Sequence, residues 1–317
     1  MHLPKISIIG AGQVGSTAAH LIAKKELGNL VLLDIDAGMA QGKALDIAEA
    51  GPVDGFDVDV TGTDDYAAIA GSEVVVITAG LARRPGMDRS ELLRKNVQIV
   101  SEISRQVVHH APEAYIIVVT NPLDPMVCTV KEVTQFPANR VMGMAGVLDS
   151  ARMRRFIAQE LGISGKDITA MVLGGHGDRM VPVTGSSTAG GIPLTELLPA
   201  DRLEAIVERT RHGGGEVVEL LKTGSAYYAP GASVTEMVES LVRDQRRIRP
   251  VAAYLNGEYG INDLYIGVPA VIGAGGVERI IEINLTEAER QQFDQSVASV
   301  RSLIAEARAA VQAEGSE

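Results

Sequence analysis

The stretch that decides the fold is residues 5–15, which read KISIIGAGQVG. A short apolar run leads into three glycines, and the helical pattern of Val14–Lys25 follows. In this G-x-G-x-x-G arrangement between strand and helix, the glycines allow a tight turn, close approach of a pyrophosphate and close helix–strand packing. Free N–H groups at the start of the helix attract phosphate. We therefore expect a dinucleotide-binding turn at Gly10, Gly12 and Gly15.

A carboxylate supports this interpretation. The next predicted strand, Asn29–Leu33, is followed by Asp34, 24 residues after Gly10. A carboxylate there accepts hydrogen bonds from the adenosine ribose hydroxyls and repels a 2′-phosphate, so the sequence favours NAD over NADP. The alternative is that Asp34 is a loop residue that caps the next helix.

The first half alternates short apolar runs with helical periods, which is typical of parallel strands joined by crossover helices. From Asp149 onward, helices are mixed with shorter strand-like pieces. The predicted fold class is α/β, a Rossmann-type doubly wound parallel sheet (residues 1–145) followed by an α+β substrate or catalytic domain (residues 146–317). The predicted strands of the first half are Lys5–Ile9, Asn29–Leu33, Val58–Val60, Glu73–Thr78, Tyr115–Thr120 and Arg140–Met144, and its predicted helices include Val14–Lys25, Ser90–His110 and Asp124–Thr134.

The second half also has predicted elements. The last helix opens with a capping box, Thr286–Glu289, and its apolar face should dock on the protein body. The predicted strands are Ile168–Leu173, Val181–Thr184, Ala270–Gly273 and Arg279–Ile283, and the predicted helices are Asp149–Leu161, Ala200–Gly213 and Ser233–Ile248.

Bulk properties restrict the class of protein. The chain has 317 residues, 46% of them hydrophobic and 22% charged, as in an ordinary globular protein. A net charge of −11 opposes nucleic-acid or anionic-membrane partners. The single Cys128 excludes an intramolecular disulfide and a cysteine metal cage. With neither a signal peptide nor a membrane span expected, the prediction is a cytoplasmic protein without a metal site.

Four further motifs carry chemistry. An arginine loop, residues 83–89, follows an apolar strand; Asn121 and Pro122 follow the next one; Asp149 and Arg152 open a helix; and His176 lies in a glycine-rich turn. Arginine clamps carboxylates, and histidine transfers protons near neutral pH. Each motif alone also has a plain structural explanation, as a solvated loop, a turn or a helix cap.

In their order and spacing, these motifs resemble the lactate/malate dehydrogenase superfamily, and within it the malate dehydrogenases of the lactate-dehydrogenase-like type. The resemblance runs from about Lys5 to the last helix. It implies that His176 is the acid/base, oriented by Asp149. It also implies that Arg152 grips the substrate carboxylate next to the reacting carbon, Arg89 polarises the carbonyl, and Asn121 helps to hold the substrate.

The resemblance also bears on specificity. Arg83 occupies the position at which arginine accompanies malate or oxaloacetate and glutamine accompanies lactate or pyruvate. Ala226 stands where lactate enzymes carry threonine, and Gly175 stands where they usually carry glutamate. Because a dicarboxylate needs two cationic partners, Arg152 and Arg83 together predict a malate/oxaloacetate substrate.

The resemblance further implies NAD contacts, a cis peptide before Pro122, a role in the tricarboxylic acid cycle and a homo-oligomer, with a tetramer favoured over a dimer. Two alternatives stay open: a lactate or other 2-hydroxy acid dehydrogenase, and a non-catalytic NAD-binding protein. The expected cofactor-binding residues are Gly10, Gly12, Gln13, Val14, Gly15, Asp34, Asn96, Thr120 and Asn121.

Overall fold

The computed structural model of the protein describes residues 3–81 and 88–314, and the side chains as far as residue 310. Strands and helices alternate through the first half, as the sequence predicts. Its elements in chain order are β1 (Lys5–Ile9), α1 (Gln13–Lys24), β2 (Asn29–Leu33), α2 (Ala37–Asp54), β3 (Val60–Thr63), β4 (Val74–Ile77), α3 (Arg89–His110), β5 (Tyr115–Val118), α4 (Leu123–Thr134) and β6 (Val141–Gly143).

The second half mixes helices with antiparallel strands. Its elements are α5 (Gly146–Leu161), β7 (Ile168–Leu173), β8 (Val181–Ala189), β9 (Ile192–Pro193), α6 (Leu194–Leu197), α7 (Ala200–Leu221), α8 (Tyr228–Val242), β10 (Arg247–Asn256), β11 (Asn262–Gly273), β12 (Gly276–Ile280) and α9 (Glu287–Glu314).

Within the described residues, the main sheet has the order β12-β11-β10-β6-β5-β4-β1-β2-β3. Strands β1 to β6 pair with one another in parallel, and β10 to β12 extend the sheet beyond β6 in antiparallel fashion. The strand order reverses between β1 and β4, which is where doubly wound sheets bind ligands. The predicted fold class is confirmed, with the addition that the second half contributes strands to the same sheet.

Burial on both faces explains the uninterrupted apolar runs. Strand β4 is buried at all four positions and β1 at four of five. Strands β7 to β9 form a separate small antiparallel sheet. An isolated bridge between Gly174 and Gly267 joins the end of β7 to β11 of the main sheet.

The sequence predictions erred at some boundaries. A helix was predicted over Ser233–Ile248, but α8 ends at Val242 and β10 starts at Arg247. Arg243 bonds back to Glu239, and both Asp244 and Arg246 have positive φ, so the chain turns sharply there. Helix α5 begins three residues earlier than predicted, so Asp149 lies inside its first turn.

The last helix docks as predicted. The Thr286 N–H donates to Glu289 Oε2 at 2.9 Å, and the Glu289 N–H donates to Thr286 Oγ1 at 3.3 Å, which forms the expected capping box. Phe293, Val300 and Ile304 on α9 are buried. The other Glu289 oxygen accepts the Thr184 N–H at 3.0 Å, which ties α9 to β8.

Candidate active site

The glycine turn leaves open space at the start of α1. Gly10 has φ +111°, and a Cβ there would lie 2.6 Å from both Ala79 N and Thr78 Oγ1. Around Gly12, by contrast, a Cβ would meet nothing within 4 Å, and no side chain caps α1. A crowded Gly10, an open Gly12 and an uncapped helix N-terminus fit a cofactor pyrophosphate.

Asp34 is fixed over this turn. Its Oδ2 accepts the Ala11 N–H at 2.7 Å, and its Oδ1 accepts the Asp36 N–H at 3.1 Å. The alternative that Asp34 caps the next helix is wrong, because Asp36 is the N-cap of α2 and accepts the Met39 N–H at 3.0 Å. Asp34 is therefore placed beside the glycine turn, at the end of β2.

Asn96, Thr120 and Asn121 meet beyond the ends of β4 and β5. Asn96 is fully buried; its Nδ2 donates to Asn121 O at 2.6 Å and to Leu81 O at 3.1 Å, and its Oδ1 accepts the Leu81 N–H at 2.8 Å. Thr120 Oγ1 donates to Ala79 O at 2.6 Å. The Asn96 side chain thus contacts the main chain on both sides of the site.

The peptide between Asn121 and Pro122 is cis, which confirms the prediction. Arg89, the first residue of α3, is exposed. Arg83, the predicted specificity residue, lies outside the described residues. Gln13 is exposed and Val14 half-buried in the first turn of α1, whereas Gly15 is buried.

His176, Asp149 and Arg152 form one connected cluster. His176 Nδ1 lies 2.8 Å from Asp149 Oδ2, and Arg152 Nη1 donates to Asp149 Oδ1 at 3.0 Å. The Asp149 side chain is 1% exposed, against 16% for His176 and 15% for Arg152. The buried Asp149 carboxylate therefore contacts two side chains that are each more accessible than it is.

Helix α5 explains this placement. Asp149 and Arg152 are one turn apart on α5, so their side chains share a face. Asp149 lies in the first turn, where the helix dipole favours a carboxylate. The neighbouring Ser150 Oγ accepts the Val172 N–H at 3.0 Å, which ties α5 to the strand that leads to His176.

Opposing effects set the ionisation of His176. Burial lowers the pKa of its imidazole, but the charge and hydrogen bond of Asp149, together with the charge of Asp124, raise it by more. Arg152 acts in the lowering direction. The net result is a pKa above the ordinary histidine value, so the imidazolium is more favoured here than in a free histidine side chain.

The sequence analysis missed Asp124 and Ser296 as neighbours of this site. Asp124 Oδ2 accepts the His176 N–H at 3.0 Å, and Ser296 Oγ accepts the Gly175 N–H at 2.8 Å. Asp124 could have been noticed in the sequence, because an acidic residue is unusual in the apolar run that forms α4. Ser296 lies far along the chain on α9, and its polar side chain carried no comparable signal.

The predicted specificity positions have different surroundings. Gly175 is buried, and a Cβ there would lie 2.6 Å from Val300 Cγ2 and 3.2 Å from Asp124 Oδ2. A larger side chain at this place would therefore require the Val300 side chain to move. Ala226 is half-buried in the connection between α7 and α8.

Two family models match the chain. Residues 4–143 match the NAD binding domain of lactate/malate dehydrogenases, and residues 146–311 match their alpha/beta C-terminal domain. The chain belongs to the lactate/malate dehydrogenase family. Its first half is accordingly an NAD-binding Rossmann domain.

Individual members of the family are similar over nearly the whole chain. A malate dehydrogenase of Desulforudis audaxviator is 57% identical over 304 residues, covering 96% of this chain and 98% of that protein. The apo structure of a Picrophilus torridus malate dehydrogenase has a TM-score of 0.95 at 46% identity, covering 98% of this chain and 99% of that one.

Lactate dehydrogenases of the family share the same architecture. The Cryptosporidium parvum lactate dehydrogenase, solved with lactic acid and nicotinamide adenine dinucleotide, has a TM-score of 0.94 at 42% identity, covering 97% of this chain and 99% of that one. Similarity of fold therefore does not separate the two substrates, which must be distinguished by individual side chains.

Proposed function

We propose that this protein is an NAD-dependent malate dehydrogenase. It oxidises malate to oxaloacetate while NAD is reduced to NADH, and it catalyses the reverse reaction. The observation that carries the proposal is the His176–Asp149–Arg152 cluster beside the carboxyl end of an NAD-binding sheet. The names of the relatives at 56–57% identity support malate as the substrate.

His176 performs the proton transfer. Its Nδ1 faces Asp149, so Nε2 is the nitrogen available to substrate. The protonated ring donates Nε2–H to the carbonyl oxygen of oxaloacetate, and the neutral ring accepts the hydroxyl proton of malate. Asp149 fixes the tautomer and stabilises the imidazolium. When bound, NAD supplies the hydride acceptor in one direction, and NADH supplies the donor in the other.

Arg152 binds the carboxylate next to the reacting carbon. Only its Nη1 donates to Asp149, so the rest of its planar fork is available for a carboxylate on the accessible side. The neighbouring helix contributes small residues: a Cβ at Gly214 would lie 3.5 Å from Arg152 Nη2. The absence of side chains there leaves space beside the cation.

The remaining assignments are part of the same proposal. Arg89 polarises the substrate carbonyl, Asn121 holds the substrate, and Arg83 binds the second carboxylate. The two family models support a division near residue 145, although β6 and β10 pair across it. The residues assigned to NAD are Gly10, Gly12, Gln13, Val14, Gly15, Asp34, Asn96, Thr120 and Asn121.

Location and assembly extend the proposal. We assign the protein to the cytoplasm and to the tricarboxylic acid cycle, as a homotetramer. Within the described part of the chain, no helix is long and apolar enough to cross a membrane. Sedimentation velocity tests the tetramer, and fractionation of cells from the source organism with an antibody to the protein tests the location.

The substrate is tested by NADH oxidation at neutral pH with oxaloacetate and pyruvate side by side, repeated with NADPH. Fast oxidation with oxaloacetate and slow oxidation with pyruvate is the expected result. A preference for pyruvate would favour the alternative that the protein is a lactate dehydrogenase, like the similar Cryptosporidium enzyme. NADH binding without turnover of either substrate would point to a non-catalytic protein.

The role of Arg83 is tested by Arg83→Gln. Loss of a charged contact worth about 1.5–3 kcal/mol should lower kcat/KM for oxaloacetate roughly 10- to 100-fold. Reduction of pyruvate should rise at the same time, because pyruvate has no second carboxylate to pair with the arginine cation that the variant removes. Arg84→Gln, one residue along, is the matched control. An unchanged oxaloacetate-to-pyruvate ratio in Arg83→Gln would remove the specificity role.

A further inference from the structure

Asp124 is a buried acid that the mechanism above does not use. It lies in the first turn of α4, is 3% exposed, and its Oδ2 accepts the His176 main-chain N–H at 3.0 Å. Its Oδ1 is buried and has no hydrogen-bond partner among the described residues. An isolated charge in such a place is costly unless another charge balances it.

The balancing charge is that of His176. Burial raises the pKa of the Asp124 carboxyl to about 7, while the charge and N–H of His176 act in the lowering direction and Asp149 acts in the raising direction. Asp124 in turn raises the pKa of His176. The two carboxylates thus flank the histidine, with Asp149 bonded to its ring and Asp124 to its main chain.

The surroundings contain few other charges. Besides the two carboxylates, Arg152 of α5 is a charged group that acts on His176, in the lowering direction. Helix α9 packs against the same turn with Ser296 and Val300, which are uncharged, and Ser296 holds the Gly175 N–H at 2.8 Å. The turn is therefore anchored by a charged group on α4 and by a neutral group on α9.

We propose that Asp124 is a positioning residue for the acid/base reaction, which holds the His176 main chain and, in its ionised form, stabilises the imidazolium. The inference rests on the proposed function of His176 as the acid/base. Asp149 would orient the ring, and Asp124 would supply a second electrostatic contribution from the NAD-binding half of the chain.

The test compares Asp124→Asn with Ser296→Ala. Asparagine keeps an oxygen for the His176 N–H but removes the charge, whereas Ser296→Ala removes the neutral anchor of the same turn. The readout is NMR titration of ¹⁵N-labelled histidines in the free protein, with His176 identified among the six histidines by its loss in His176→Asn. This measurement needs no substrate, so it is independent of which acid the enzyme reduces.

In Asp124→Asn the His176 midpoint should fall by about one pH unit, because a nearby anion no longer stabilises the imidazolium. The acidic limb of malate oxidation should move down by the same amount. Ser296→Ala should lower kcat without moving either midpoint. An unchanged or higher His176 midpoint in Asp124→Asn, or an equal shift in Ser296→Ala, would overturn the proposal.

If Asp124→Asn does not accumulate as folded protein, the same NMR titration of the wild-type protein tests the proposal. Two interacting groups titrate as a pair, so the His176 resonance should show a second, smaller inflection from Asp124. A single simple titration curve would contradict the proposal. Failure of the wild type to reduce oxaloacetate, with the NMR result intact, would instead count against the assigned substrate.

Discussion

The Asn96 side-chain amide donates hydrogen bonds to Leu81 O and Asn121 O and accepts one from the Leu81 N–H. Leu81 leads directly into the arginine loop, and Asn121 is an assigned substrate residue. One buried side chain on α3 therefore sets the spacing between two parts of the site. Its assignment to NAD binding remains a proposal; its hydrogen bonds also give it a positioning role.

Asn96→Ala should lower kcat/KM for oxaloacetate and destabilise the protein by about 1–3 kcal/mol, because the hydrogen bonds of this buried side chain to the main chain of Leu81 and Asn121 are lost. Steady-state kinetics and urea unfolding measure the two effects. Ser104→Ala is the matched control, since Ser104 is buried on the same helix and bonds only to Val100 O at 2.7 Å. Equal kinetic effects in both variants would deny Asn96 a role at the site.

The raised pKa of His176 predicts the pH dependence of both directions. In the proposed mechanism oxaloacetate reduction needs the imidazolium, so its kcat/KM should stay high up to the raised pKa and fall above it. Malate oxidation needs the neutral ring, so its kcat/KM should rise through the same pH. Profiles of kcat/KM should give a midpoint above the ordinary value of about 6.5. A common midpoint at or below that value would contradict the assigned electrostatics.

At the scale of the element, α7 carries three consecutive glycines in its interior. Gly213 faces α5, and a Cβ there would lie 3.2 Å from Arg152 Cδ and 3.5 Å from Phe156 Cε2. A Cβ at Gly215 would meet nothing within 4 Å. Glycine in a helix interior costs about 1 kcal/mol relative to alanine, so the first glycine has a packing reason that the third lacks.

Gly215→Ala should therefore stabilise the protein by about 0.4–1 kcal/mol and leave turnover nearly unchanged. Gly213→Ala gains the same helix propensity but crowds the Arg152 side chain, so its KM for oxaloacetate should rise. Thermal unfolding of the two variants measures the effect of helix propensity on stability, and steady-state kinetics measures the effect of crowding on the Arg152 side chain. If both variants had the same KM, the close contact between position 213 and the Arg152 side chain would not explain why residue 213 is glycine.

The elements of the first half were predictable because buried parallel strands and an amphipathic helix leave strong periodic patterns. Strands β1 and β2 match their predicted bounds residue for residue. Strand β10 was missed because its start, Arg247 to Arg249, continues a helical pattern, and pairing with β11 decides its conformation. Likewise, His176 and Asp149 carried recognisable motifs, whereas Ser296 acquires its contact only through the docking of α9.

At the scale of the whole molecule, α9 joins the two halves of the chain. It contacts α3 and α4 of the first half and β8 of the second. Phe293 is fully buried on it, and its ring centroid lies 5.3 Å from that of Tyr259. The C-terminal helix is therefore part of the core rather than an appendage.

Phe293→Ala should lower the free energy of unfolding by about 3–5 kcal/mol, because it removes a large buried ring and leaves a cavity. Urea denaturation followed by circular dichroism measures this loss. Val297→Ala, a half-buried position on the same helix, should cost much less. A loss below about 1 kcal/mol for Phe293→Ala would mean that α9 contributes little to the core.

The turn that carries His176 forms hydrogen bonds with three separate parts of the molecule: Gly267 of β11, Ser296 of α9 and Asp124 of α4. In a hybrid of two relatives that joined the second half of this chain to another NAD-binding half, His176 would keep Asp149 as its ring partner but lose Asp124, the acceptor of its main-chain N–H. If the new half placed no carboxylate at the position of Asp124, the proposed proton transfer would change even though every residue of the second half was kept.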